Sequence, residues 1–189
     1  MLCALTMHRL AIAAAVVALP SLADARPITA GVGLGRIQAK ADSAGDASDT
    51  VQIYGRVGLT KRLSGQLELQ KITLDGSSGV GRTGTALLVV DLGSHPRLVP
   101  TMFAGYGLDR GDSGYGGETT GHHIEGGFGL EYRADGGLVI QMDLRLGGRS
   151  IDQQYEVLPL AGDVALYYPE APMREGEYRS ARIGVGIRF

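Results

Sequence analysis

The sequence predicts an all-β chain folded as an eight-stranded antiparallel up-and-down β-barrel that crosses a membrane. Three observations predict it. Apolar and polar residues alternate with a period of two through eight separate segments, the mark of strands with two unlike faces. The connections between these segments alternate between long and short. Glycine, 30 of the 189 residues, recurs on the polar faces of the strands and not only in turns.

Composition removes other classes. A formal charge of −2 does not suit a protein built around a polyanion, so no nucleic acid partner is expected. The glycines show no G-x-y period, which excludes collagen. A hydrophobic share of 44% argues against disorder. Beyond the first 25 residues there is no apolar run of roughly 18 or more, which excludes helical spans.

The amino end reads as an address. Residues 1–25, MLCALTMHRLAIAAAVVALPSLADA, have a short basic start (His8, Arg9), an apolar run from Leu10 to Leu19 and the small-x-small ending Ala23-Asp24-Ala25. That is the pattern of a secretory signal cleaved before Arg26, with Met7 an alternative start. Cys3 falls in the removed piece. The expected barrel domain, 26–189, is therefore free of cysteine and needs neither disulfides nor thiolate metal sites.

The strands are expected at 28–37, 51–61, 65–74, 84–92, 98–108, 122–133, 137–148 and 178–189. The first sets Ile28, Ala30, Val32 and Leu34 against Thr29, Gly31, Gly33 and Gly35. The second and third are joined by a tight turn at 62–64, and the third and fourth alternate less regularly, leaving their frame open. The fifth carries Pro100, which cannot donate to a ladder, so a bulge or a missing bond is expected there. The sixth sets Ile124, Phe128, Leu130 and Tyr132 against Glu125, Gly127, Gly129, Glu131 and Arg133. The seventh is clearest, with Leu138, Ile140, Met142, Leu144 and Leu146 opposite Val139, Gln141, Asp143, Arg145 and Gly147. The eighth sets Ala181, Ile183, Val185, Ile187 and Phe189 against Arg182, Gly184, Gly186 and Arg188.

The connections run through 38–50, 62–64, 75–83, 93–97, 109–121, 134–136 and 149–177. The long ones are polar and rich in Gly, Ser and Asp; the short ones are turns such as Ala134-Asp135-Gly136. A meander with one trimmed and one ragged end gives this pattern, and membrane barrels have short turns on one side and longer loops on the other. The strand count is even, and each strand is near the roughly 9–11 residues needed to cross hydrocarbon at a tilt.

Alternation alone does not say whether the apolar face meets a soluble core or lipid. Glycine placement decides. Gly31, Gly33, Gly35, Gly58, Gly105, Gly107, Gly127, Gly129, Gly184 and Gly186 mostly share faces with polar residues. A water-facing surface gains little from such a stripe, because glycine weakens a strand and packs nothing. The interior of an eight-stranded barrel is only just wide enough for side chains, so large polar residues fit there if their neighbours shrink. The polar and glycine face is therefore the lumen, and the apolar face looks at lipid.

The segment RSARIGVGIRF (179–189) ends on an aromatic residue at an outward position. It is similar to the terminal assembly signal of outer-membrane barrels, with Tyr178, Ile183, Val185, Ile187 and Phe189 in that role. Together with LVPTMFAGYGLDRG (98–111) and GGFGLEYRADGGLVIQMDLRLG (126–147), it resembles the small OmpA/OmpX-type outer-membrane β-barrel family. The likeness covers the last four strands by sequence and the first four by count and spacing. It implies a bacterial outer-membrane location, termini in the periplasm, outer-membrane lipid and lipopolysaccharide as surroundings, and the barrel assembly machinery as a partner. The chain departs from the family in having no Trp; Tyr106, Tyr132 and Phe189 are the candidates for its aromatic girdles. No peptidoglycan-binding segment follows Phe189, so the cell-wall tethering of larger family members is not expected.

On neighbouring strands Glu125 and Arg145 are expected level, as are Asp143 and Arg182, and Arg56 and Glu68. A chain of interior ion pairs would fill the lumen, since opposite charges in hydrogen-bonding reach offset much of the cost of burial. The alternative is a narrow pore for small polar solutes. A further alternative is a lipid A-modifying enzyme. Lipid A deacylases of similar architecture use a His-x-Ser pair, and none of His95, His122 or His123 has Ser two places on. The lipid A palmitoyltransferase barrel uses His with an Asp-Ser pair, of which Asp112-Ser113 is an echo in a loop. No catalytic residue, metal ligand or cofactor is assigned. His122 and His123, with Glu118, do not make a metal site, because adjacent strand residues point to opposite faces; a solvated loop edge is expected. Loop 109–121 holds Arg110-Gly111-Asp112, the tripeptide of integrin ligands, which makes host or cell-surface ligands a further partner class. Loop 149–177 carries Tyr155, Tyr167 and Tyr168, as contact surface or as a cover over the barrel mouth. The role implied is structural or interactive, that of a closed scaffold displaying loops.

Overall fold

A computed structural model describes residues 27–40, 47–73, 79–93, 95–112, 118–154 and 175–189. The expected signal, residues 1–25, lies outside them, as do Ser113, Tyr155, Tyr167 and Tyr168.

Eight antiparallel strands close into one barrel in chain order: β1 Ile28–Ala39, β2 Ser48–Gly58, β3 Leu63–Thr73, β4 Val80–Asp91, β5 Leu98–Asp112, β6 Glu118–Arg133, β7 Leu138–Gln154 and β8 Gly176–Arg188. Closure comes from β1 against β8, in a ladder running from Thr29↔Arg188 to Ala39↔Tyr178. No edge is left unpaired, which is what an apolar surrounding demands of backbone N–H and C=O groups.

The turn end holds 59–62, 92–93 with 95–97, and 134–137. Thr60 Oγ1 accepts from the backbone N–H of Leu63 at 3.0 Å and Arg62 at 3.3 Å. His95 Nδ1 accepts from Leu98 at 3.1 Å and Arg97 at 3.3 Å, so this histidine caps a turn. At the third turn Gly136 and Gly137 have φ of 90° and 87°, a region that costs other residues strain.

The loop end differs from expectation. β5, β6 and β7 run to 15, 16 and 17 residues, so 109–112, 118–121 and 149–154 are ladder and not loop. Their polar composition suggested loops, yet hairpin pairing continues from Leu108↔His122 to Asp112↔Glu118. The tripeptide Arg110-Gly111-Asp112 consequently lies in a strand, not in a displayed loop. Arg110 and Asp112 point out from the wall, and Arg110 Nε pairs with Glu118 at 2.7 Å.

Pro100 pairs with Leu130 with no shift of register. Its carbonyl accepts from Leu92, just beyond the end of β4. In an antiparallel strand a residue's N–H points the same way as its C=O, so the bond proline cannot make falls past β4. The register irregularity is instead at Thr120/Gly121, where Asp152 of β7 is left over.

The apolar faces look outward all round: Leu34, Ile53, Leu69, Leu88, Phe128, Leu144 and Ile183 are exposed. Inward lie Gln52, Glu68, Gln70, Thr85, Asp143, Arg145 and Arg182, all buried. The aromatic candidates Tyr106, Tyr132 and Phe189 are on the outside. Tyr178 is not. It is buried in the lumen, because it stands an odd number of residues from Ile183, Val185, Ile187 and Phe189 and so faces the other way. The outward part of the terminal signal is those four residues.

Candidate functional site

The lumen is where the chemistry of this chain is gathered, and glycines make room for it. A Cβ on Gly31 would sit 2.6 Å from the Tyr54 ring, and one on Gly186 2.5 Å from its hydroxyl. A Cβ on Gly33 would meet Gln52, one on Gly35 the Arg182 side chain, and one on Gly107 the imidazole of His123. Each large inward side chain occupies the space its neighbour gives up.

The central cluster is built around Arg145, whose side chain has no exposure. Its Nη1 and Nη2 each donate to a Glu68 oxygen at 2.8 Å. Nη1 also reaches Glu125 Oε1 at 2.5 Å, and Nη2 reaches Asp143 Oδ2 at 2.8 Å. The guanidinium lies 4.7 Å from the centre of the Phe103 ring. Arg182 Nη1 donates to Glu68 Oε2 and Gln52 Oε1, and Nη2 to Gln70 Oε1, all at 2.8 Å. Tyr178 donates to Glu125 Oε2 at 3.1 Å.

Nearer the turns, Arg56 Nε donates to Gln66 at 2.5 Å and Nη2 to Gln141 at 3.1 Å, while Nη1 pairs with Glu131. Arg133 joins Glu131 at 2.5 Å and Asp91 at 2.8 Å. β2 and β6 stand four strands apart in a ring of eight, as do β3 and β7. The Arg56–Glu131 and Arg145–Glu68 bridges therefore cross the barrel from wall to wall.

The expected partners are corrected accordingly. Arg56 is level with Gln66, not Glu68, and Glu68 is level with Tyr54. Glu125 is level with Gly147 and Arg145 with Gly127, yet Glu125 and Arg145 still meet because the arginine is long. Asp143 and Arg182 are level, and Asp143 accepts from Arg145. All six side chains project into the lumen.

Two lumen features were not legible beforehand. Toward the loops, Ile37, Ile72 and Tyr178 form a buried apolar cluster with Ile151 against it; toward the turns, Leu87, Val89 and Phe103 form another. Between them lies His123. Its Nδ1 is 3.0 Å from both oxygens of Asp109, and its Nε2 is 3.1 Å from Thr85 Oγ1. Arg149 Nε donates to Asp109 Oδ2 at 2.8 Å. With Nδ1 donating to the carboxylate, a neutral ring accepts from Thr85. This is the hydroxyl–imidazole–carboxylate order of acyl-transfer sites, assembled from three strands and aimed inside the wall. The imidazole and the carboxylate are both buried. His123 is thus a buried lumen residue and not part of a solvated edge. His122 faces outward, 3.0 Å from Asp152, and Glu118 is engaged by Arg110. Among the described residues no group of three His, Cys, Asp or Glu side chains is placed to hold a metal.

Outside the loop end of the apolar band runs a belt of charge. Arg36 pairs with Asp49 at 3.1 Å, and Lys40 with Glu177 at 2.8 Å. The hydrogen bond to Glu177 holds the Lys40 ammonium above the ordinary lysine range.

No family model matches the chain, and no characterised protein matches it by sequence. Solved structures do. Neisserial surface protein A superposes with a TM-score of 0.62 over 87% of this chain and 97% of its own, at 11% identity. The N-terminal β-barrel domain of OprF from Pseudomonas aeruginosa superposes with a TM-score of 0.54 over 85% of this chain and 97% of its own, at 16% identity. With eight antiparallel strands, a closed ring and an apolar exterior, the fold is that of the small outer-membrane β-barrels of the OmpA/OmpX type.

Proposed function

We propose that the chain is an outer-membrane barrel of a Gram-negative bacterium whose role is structural and interactive, with a lumen plugged by its own side chains. The observation that carries this reading is the Arg145–Glu68 pair between opposite walls, buttressed by Glu125, Asp143 and Arg182. A guanidinium with four anionic oxygens in reach fills the middle of the lumen with its own charge pairs and leaves little width for a solute. Two clusters of buried apolar side chains, one of them against Arg145 through Phe103, add to the fill.

In this reading the trimmed end and both termini face the periplasm, and the extended β5–β6–β7 wall and its loops face out. The outward row Ile183, Val185, Ile187 and Phe189 is the surface offered to the barrel assembly machinery. Lipid and lipopolysaccharide surround the wall. No catalytic step is assigned to Thr85, His123 and Asp109; their hydrogen bonds tie β4, β5 and β6 together from within.

Single-channel recording of the purified full chain in planar bilayers tests the plug. Only background leak is expected. Steady stepwise conductance would overturn the plug in favour of a narrow pore.

A further inference from the structure

Three cations stand directly opposite one another on the outer wall. Lys71 on β3 is level with Arg82 on β4, and Arg82 with Arg110 on β5. All three are exposed and point away from the lumen. Like charges directly opposite on adjacent strands are destabilising, so a sheet that keeps such a row needs an anion to offset it. Elsewhere on this rim Arg36, Lys40 and Arg110 have acidic partners. Among the described residues Lys71 and Arg82 have none. Asp112 and Glu118 lie one row further toward the loops on the β5–β6 side, and Glu118 is taken by Arg110.

Immediately below the row, on the turn side, the wall is furrowed. Leu69, Gly84 and Leu108 are level, then Leu67, Ala86 and Tyr106, with Gly55 beside Leu67. The small residues Gly55, Gly84 and Ala86 floor an apolar groove whose sides are the leucines and Tyr106. A Cβ on Gly84 would touch only Leu69, and one on Gly55 nothing, so this floor is open to the outside and is not a packing requirement of the lumen. A groove of this kind fits a hydrocarbon chain, and the cations at its mouth fit phosphate. The two are separated by one outward position along each strand.

We infer that this patch is a site for a phosphorylated, multiply acylated glycolipid of the outer leaflet, its phosphates on Lys71, Arg82 and Arg110 and an acyl chain in the furrow over Gly84. The inference rests on the membrane reading above and deepens it, turning lipid from surroundings into a bound ligand.

The test is native mass spectrometry of the full chain released from mild detergent, with bisphosphorylated lipid A as the probe. Dephosphorylated lipid A, phosphatidylethanolamine and inorganic phosphate serve as the comparison arms. Bisphosphorylated lipid A is expected to remain bound, the other lipids to dissociate, and millimolar inorganic phosphate not to compete. Lys71→Gln with Arg82→Gln should weaken retention about tenfold or more, as expected for basic residues at an anionic lipid surface. Gly84→Leu, which fills the furrow and leaves the charges, should weaken it as well, while Lys71→Arg with Arg82→Lys should retain it. Equal retention by the glutamine double variant, equal retention of the dephosphorylated lipid, or full competition by free phosphate would each overturn the inference. Heat-modifiable gel migration of each variant reports the closed barrel separately, and bilayer recording reports the plug. A lost lipid with both of these unchanged belongs to the site alone.

Discussion

Arg145 on β7 and Glu68 on β3 meet in a two-pronged ion pair, both guanidinium Nη atoms 2.8 Å from carboxylate oxygens, across the full width of the barrel. Removing either partner leaves an uncompensated charge in a buried site, which typically costs about 3–5 kcal/mol. Arg145→Leu and Glu68→Leu are each expected to lose stability of that order. The double variant should recover part of it, and urea unfolding of the refolded chain in lipid vesicles reads all three. Additive losses would mean that the two residues do not interact.

The glycines divide by face, and substitution should follow the division. Gly107→Leu places a side chain on the His123 ring and is expected to prevent closure, seen as loss of heat-modifiable migration. Gly55→Ala, outward and touching nothing, should change stability by no more than about 0.5 kcal/mol.

Leu144 is 69% exposed on the outer wall, one residue from fully buried Arg145. If acyl chains cover that wall, Leu144→Arg should cost about 2–4 kcal/mol, as cations do near a bilayer midplane. Leu144→Ile should be nearly silent in the same unfolding assay.

Tyr178 and Phe189 belong to different surfaces. Tyr178→Phe removes a donor from the buried Glu125 carboxylate and should cost roughly 1–3 kcal/mol of stability, leaving the rate of insertion by assembly machinery unchanged. Phe189→Ala should slow insertion and leave the lumen network intact. A reconstituted assembly reaction separates the two effects.

Strand identity and the inversion of faces were legible because a period of two and glycine on the polar face are local signals. Partners inside the lumen were not. Register is set by turn length, and each turn was mistaken by a small amount. The β2–β3 turn closes at 59–62 through Thr60, which slides Arg56 from Glu68 to Gln66. The β6–β7 turn holds Gly137 as well as Gly136, which slides Arg145 from Glu125 to Gly127. Contacts across the lumen, such as Arg56 to Glu131, depend on the stagger of the whole ring and leave no trace in spacing. The frame of β4 was hidden because Leu87 and Val89 face inward beside outward Ala86, Leu88 and Val90, so apolar residues run without alternation. Thr85, Asp109 and His123 escaped notice because no two are near in sequence and Asp109 read as the first residue of a loop.

The wall of this barrel is turned inside out relative to a soluble one, with apolar side chains outside and charged ones within. This inversion is tested most directly by a nitroxide placed in turn at residues 140 to 146 of the refolded chain in lipid bilayers, with collision rates measured against oxygen and a water-soluble nickel complex. Strong oxygen and weak nickel collisions are expected at 140, 142, 144 and 146, with both weak at 141, 143 and 145. Nickel access at the even positions would show them in water and overturn the inversion.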